Sequence, residues 1–97
     1  MEIEYVEWND EKDKWLQETR GISFKRIADL ILQGEVLAII DNPNQERYAG
    51  QRLLIINIDD YAYMVPFVEE GGRAFLKTII PSRKATKQYV GESDESA

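Results

Sequence analysis

The chain has 97 residues, 43% hydrophobic and 31% charged, with only 3 prolines and 6 glycines. This size and balance fit one domain around one small core and exclude a disordered or fibrous chain. There is no Cys and no His, which excludes disulfides, thiolate nucleophiles, imidazole bases and zinc held by either residue, and the net charge of −6 argues against coating nucleic acid through the overall field.

Residues 3–8 suit a short strand, with Ile3, Tyr5 and Glu7 alternating with Glu4, Val6 and Trp8. Asn9 or Asp10 can cap a first helix over 11–20, which opens on the acids Asp10, Glu11 and Asp13 and stops at Gly21. Ser23 caps a second helix in which Phe24, Ile27, Ala28, Leu30 and Ile31 recur at helical spacing, ending at Gly34. That stripe is read as core, because a domain this small needs one amphipathic helix to cover a sheet.

A β-branched run at 36–41 reads as a strand, and Asn42-Pro43-Asn44 turns the chain. Further strands are expected over 52–58, 61–68 and 73–80, joined through Asp59-Asp60 and Gly71-Gly72 as hairpins. Pro81 and Ser82 introduce a last helix that runs to Val90 and stops at Gly91. The order strand, two helices, four-stranded antiparallel meander and C-terminal helix predicts an α+β fold. One domain over 1–91 precedes an acidic tail, 92–97, expected to be disordered. No apolar run approaches the roughly 20 residues of a membrane helix. The acidic start lacks the features of a secretory signal, so a cytoplasmic location with no membrane partner is expected.

The charge is divided unevenly. Residues 1–41 carry 10 acids and 5 bases, whereas Arg73, Lys77, Arg83, Lys84 and Lys87 follow one another over 73–91 without an acid. A run of this kind is commonly a solvated face. Against that, Arg83 and Lys84 occupy the first turn of the expected last helix, where the dipole disfavours cations by about 0.3–1 kcal/mol each. Two cations beside free amides make an anion pocket, unless Glu69 or Glu46 neutralises them.

The loop after the first meander strand brings Glu46, Arg47, Tyr48 and Arg52. A carboxylate base, a fork-shaped cation and a phenol are what RNA cleavage without His requires, although a solvated Glu46–Arg47 pair gives the same pattern. Asp59-Asp60 and Glu69-Glu70 fall at turns, where acids are common, so no metal and no cofactor are expected. Tyr61, Tyr63 and Phe67 alternate as packing residues of a sheet face.

Three segments, taken in order, resemble BrnT-type toxins over about residues 5–90: Val6-Glu7-Trp8-Asn9-Asp10-Glu11-Lys12 with Arg20-Gly21-Ile22-Ser23-Phe24, then Glu46-Arg47, then Ile79-Ile80-Pro81-Ser82-Arg83-Lys84-Ala85-Thr86. The resemblance implies a RelE-like fold and the toxin of a type II toxin-antitoxin pair. Such a toxin is a ribonuclease that inhibits translation and is neutralised by a DNA-binding antitoxin, here of the ribbon-helix-helix type. It carries functional positions over to Lys12, Arg47, Arg83 and Lys84. The family's frequent His before Gly-Ile-Ser-Phe is Arg20 here, so a His-based step cannot operate.

The resulting expectation is a metal-independent endoribonuclease acting on RNA, free or associated with the ribosome. Glu46, Arg47, Arg83 and Lys84 form its catalytic set, and Lys12, Lys77, Arg83, Lys84 and Lys87 bind RNA. The alternative is a non-catalytic binding module, or an inactive toxin-like protein that binds an antitoxin partner.

Overall fold

The computed structural model describes residues 3–91, and the expected tail, 92–97, lies outside the described residues. Strand β1 (Tyr5–Trp8) leads into helix α1 (Asp10–Arg20). The Asn9 side chain accepts the Lys12 amide at 2.9 Å, the three acids fill the first turn, and Gly21 closes the helix at φ 68°. Helix α2 (Phe24–Leu32) is capped twice: Ser23 Oγ accepts the Arg26 amide at 3.2 Å, and Asp13 Oδ1 accepts the Phe24 amide at 2.7 Å. The second bond ties the two helices together at their junction.

Strands β2 (Val36–Asp41), β3 (Arg52–Ile58), β4 (Tyr61–Glu70) and β5 (Arg73–Leu76) make the antiparallel meander. β1 lies outside β5 and pairs with it in parallel, Val6 opposite Ala74 and Trp8 opposite Leu76. The sheet order is therefore β1-β5-β4-β3-β2, and the chain must cross from one edge to the other between β1 and β2. It crosses along α1 and α2, which cover one face.

The main core forms beneath them: Leu16, Ile22, Phe24, Ile27 and Ile31 pack on Leu54, Ile56, Val65, Phe67 and Leu76, with the Trp8 ring stacked on Phe24 at 5.9 Å. No polar or charged residue is buried among the described residues, so burial of apolar surface supplies the cohesion here. Alternation along β3 sends Ile55 to the opposite face, where Ala62, Ala85, Met64, Tyr89 and Val90 form a second, smaller cluster.

The structure corrects the expected elements in two places. The strand expected over 73–80 is interrupted after Leu76. The Lys77 amide still donates to the Pro66 carbonyl at 2.8 Å, but the chain rejoins β4 only at strand β6 (Ile80–Pro81), with Ile80 opposite Met64. Leu76 and Ile79 both enter the main core, a spacing of three that regular alternation cannot give and that an inserted kink supplies. The last helix is also not a regular α-helix to Val90. Helix α3 (Arg83–Ala85) is one turn long and runs on as a π-type turn, Thr86–Val90. Both Tyr89 and Val90 thereby reach the second cluster. Smaller differences are that β1 begins at Tyr5 rather than Ile3 and that β4 extends to Glu70.

Candidate functional site

On the sheet face away from α1 and α2, the short C-terminal turn covers only part of the strands, leaving a groove of about 550 Å³. Its floor is apolar: Leu53 and Ile55 from β3, Met64 and Pro66 from β4, with Ile40 and Ile80 beside them. Pro43, Tyr48 and Gln51 form one wall, on the loop between β2 and β3. Lys77 and Thr78, at the break between β5 and β6, line it together with Lys84, Gln88 and Tyr89 from the C-terminal turn.

Each wall has a local reason. The loop is fixed by amide side chains: Asn42 Nδ2 donates to Gln51 Oε1 at 2.9 Å, Gln45 Nε2 donates to the Asn42 and Gln51 carbonyls at 2.7 and 3.1 Å, and the Gly50 amide donates to Gln45 Oε1 at 3.1 Å. These bonds hold Pro43 and Tyr48 at the rim. The kink after Leu76 lets the adjacent residues Lys77 and Thr78 both line the groove, which a regular strand would forbid. From the other side, Arg20 donates to the Ile79 carbonyl and lays its guanidinium 5.3 Å from the Trp15 ring, bracing the kink from the helical layer.

Of the residues expected in the site, Lys77 and Lys84 line the groove and the others do not. Arg83 and Lys87 are exposed on the same short turn. Arg47 stacks its guanidinium 5.4 Å from the Tyr48 ring, so it buttresses the groove wall instead of entering the groove. Glu46 is exposed on that loop and is not a lining residue. Lys12 belongs to α1, with its ammonium 4.5 Å from the Trp15 ring, on the face covered by the helices. Of the set Glu46, Arg47, Arg83 and Lys84, only Lys84 lines the groove.

Neither Glu69 nor Glu46 neutralises the cations of the C-terminal turn. Among the described residues the ion pairs are Lys25–Asp29, Arg52–Asp41 and Arg73–Glu7, at 3.4, 3.5 and 3.8 Å.

Sequence reasoning missed Thr78, Gln88 and Tyr89. The signal for Thr78 was present in Leu76-Lys77-Thr78-Ile79-Ile80, where two polar residues in succession interrupt an apolar strand. The π-type turn that brings Gln88 and Tyr89 to the groove has no comparable sequence mark.

Chemically, the groove offers two ammonium groups above an apolar floor, two phenols at its walls, and no carboxylate among its lining residues. Such a surface suits a ligand that is anionic at one end and flat and apolar at the other. Comparison of the chain with protein-family models, with curated proteins and with solved structures finds no match.

Proposed function

We propose that the chain is a RelE-like toxin of a type II toxin-antitoxin pair, a metal-independent endoribonuclease of the cytoplasm that is neutralised by a ribbon-helix-helix antitoxin. One observation carries the proposal: Lys77 and Lys84 stand over an apolar groove with no acid among its lining residues, although the protein is anionic overall. The ordered resemblance of residues 5–90 to BrnT-type toxins supports the same reading.

Single-stranded RNA enters with its bases against the apolar floor and its phosphate toward the two lysines. The 2′-oxygen attacks phosphorus and the bond to the 5′-oxygen breaks, leaving a cyclic phosphate. The lysines stabilise the phosphorane. A phenol, Tyr48 or Tyr89, protonates the leaving oxygen, and water takes the 2′ proton.

A second reading is a non-catalytic, toxin-like protein that binds an antitoxin partner, and the absence of a carboxylate or imidazole among the lining residues favours it. RNA cleavage in vitro separates the two. The expected result is that the wild-type chain cleaves single-stranded RNA and arrests bacterial growth on induction. Lys77→Ala/Lys84→Ala loses roughly 10²–10³-fold in rate, whereas Arg83→Ala, outside the groove, loses much less. Intact RNA and unimpaired growth with the wild-type chain would leave the non-catalytic reading standing.

A further inference from the structure

Gln51 stands at the groove with its side-chain amide held in one orientation. The Asn44 amide donates to Asn42 Oδ1 at 2.9 Å, which fixes the Asn42 oxygen and turns Nδ2 toward Gln51. Asn42 Nδ2 then donates to Gln51 Oε1 at 2.9 Å, so the group that Gln51 places beside Asn42 is its acceptor. The oxygen is spent within the loop, and the amino group is what Gln51 has left for a ligand. The backbone is held as well: the Asn42 amide donates to the Gln51 carbonyl and the Gln51 amide to the Tyr48 carbonyl, both at 3.0 Å. Gln51 is partly buried and lines the groove, as do Leu53 and Ile55 at the same alternation along the chain.

Its distance from the cations follows from the register. Leu53 lies opposite Pro66, Phe67 lies opposite Leu76, and the Lys77 amide donates to the Pro66 carbonyl at 2.8 Å. Leu53, Pro66 and Lys77 therefore form one row across the sheet. Lys77 is two strand spacings from Leu53 along that row, and Gln51 is two residues from Leu53 along the chain. The Cα atoms of Gln51 and Lys77 are thus separated by roughly 12 Å, with the apolar side chains of Leu53 and Pro66 between them. The Tyr48 ring, braced by Arg47 at 5.4 Å, stands at the same wall as Gln51.

We infer that Gln51 reads the far edge of a base and makes the groove selective for uracil over cytosine, an inference that rests on the reading of the groove as an RNA site. With the phosphate at Lys77 and Lys84 and the base over the apolar floor, the edge of the base farthest from the sugar meets Gln51. Uracil carries an exocyclic oxygen on that edge, which accepts from Gln51 Nε2. Cytosine carries an amine there, which sets donor against donor. A free glutamine would flip to suit either base. Flipping Gln51 brings its amino group against Asn42 Nδ2, and flipping Asn42 to follow brings Nδ2 against the Asn44 amide. The two bonds in series therefore hold Gln51 as a donor.

Fluorescence anisotropy of the full chain with labelled oligouridylate and oligocytidylate of equal length measures the preference without requiring cleavage. The expected result is binding of the uridine strand roughly 3–10-fold tighter, the range of one hydrogen bond gained or lost. Gln51→Glu keeps an acceptor for Asn42 Nδ2 and replaces the donor by a carboxylate oxygen. It should leave the far-UV circular dichroism unchanged, weaken both strands through its charge, and abolish or reverse their order, because a carboxylate accepts from the cytosine amine. Gln51→Ala, which offers neither group, should bind the two strands alike. A wild-type chain that binds RNA without favouring the uridine strand, or a uridine preference that survives in both variants, would overturn the inference and leave the RNA reading standing. Failure of either strand to bind the wild-type chain would remove both.

Discussion

Thr86 fastens the C-terminal turn to the sheet. Its hydroxyl donates to the Ser82 carbonyl at 2.7 Å and accepts the Ala62 amide at 2.8 Å, while the Ser82 amide donates to the Ala62 carbonyl at 3.0 Å. Ala62 is buried and lies where the outer side of β4 has no strand beyond β6, so these two polar contacts replace a ladder. Thr86→Val keeps the shape and leaves the Ala62 amide unpaired, at a cost of about 1–3 kcal/mol. The melting temperature should fall by roughly 5–15 °C, and Thr86→Ser should recover most of the loss. Equal melting of wild type and Thr86→Val would show that the turn is held by Ala85, Tyr89 and Val90 alone.

The hairpin between β3 and β4 turns through Asp59 and Asp60, both left-handed, at φ 53° and 65°. A two-residue turn of this kind suits the twist of the strands but asks for Asn or Gly. Each non-glycine residue in it costs about 1–2 kcal/mol, which a short polar side chain partly relieves. Two adjacent carboxylates add repulsion. Asp60→Gly should therefore stabilise the protein by about 0.5–1 kcal/mol after the larger entropy of the unfolded glycine is counted, read as a higher urea midpoint with an unchanged slope. A lower midpoint would mean that Asp60 makes a favourable interaction worth more than its strain.

The same hairpin shows which parts of the fold were legible in the sequence. Helix caps, the stripe of α2 and the two-residue turns are local signals, and they appear where the residues indicated. The parallel pairing of β1 with β5 depends on residues about 68 positions apart in chain order, which no local pattern encodes. The kink at Lys77–Thr78 was visible in the spacing of Leu76 and Ile79, but only once the core on one face is known. Among the site residues, Lys77 and Lys84 stood out from an acid-free run, whereas the stacking of Arg47 on Tyr48 is set by a loop whose side-chain directions follow no period.

At the scale of the molecule, the fold converts an asymmetry along the chain into one in space. Residues 1–41, with twice as many acids as bases, supply β1, both helices of one layer and the edge strand β2. The groove opens on the other side of the sheet. Nucleic acid approaching this protein therefore meets a net negative body, and only cations that reach the groove can offset the repulsion. Arg73 is engaged with Glu7, and Arg83 and Lys87 are exposed outside the groove, which leaves Lys77 and Lys84 as the groups to displace counterions. For a short single-stranded RNA the slope of log K against log salt is about −0.7 for each phosphate neutralised, so binding through two lysines should give about −1.4. Fluorescence anisotropy across a salt series measures it, and Lys77→Ala/Lys84→Ala should bring the slope close to zero. A slope near about −3.5, falling only to about −2.1 in the double variant, would mean that all five cations of 73–91 act as one stripe and that the groove is not the one place where the phosphates bind.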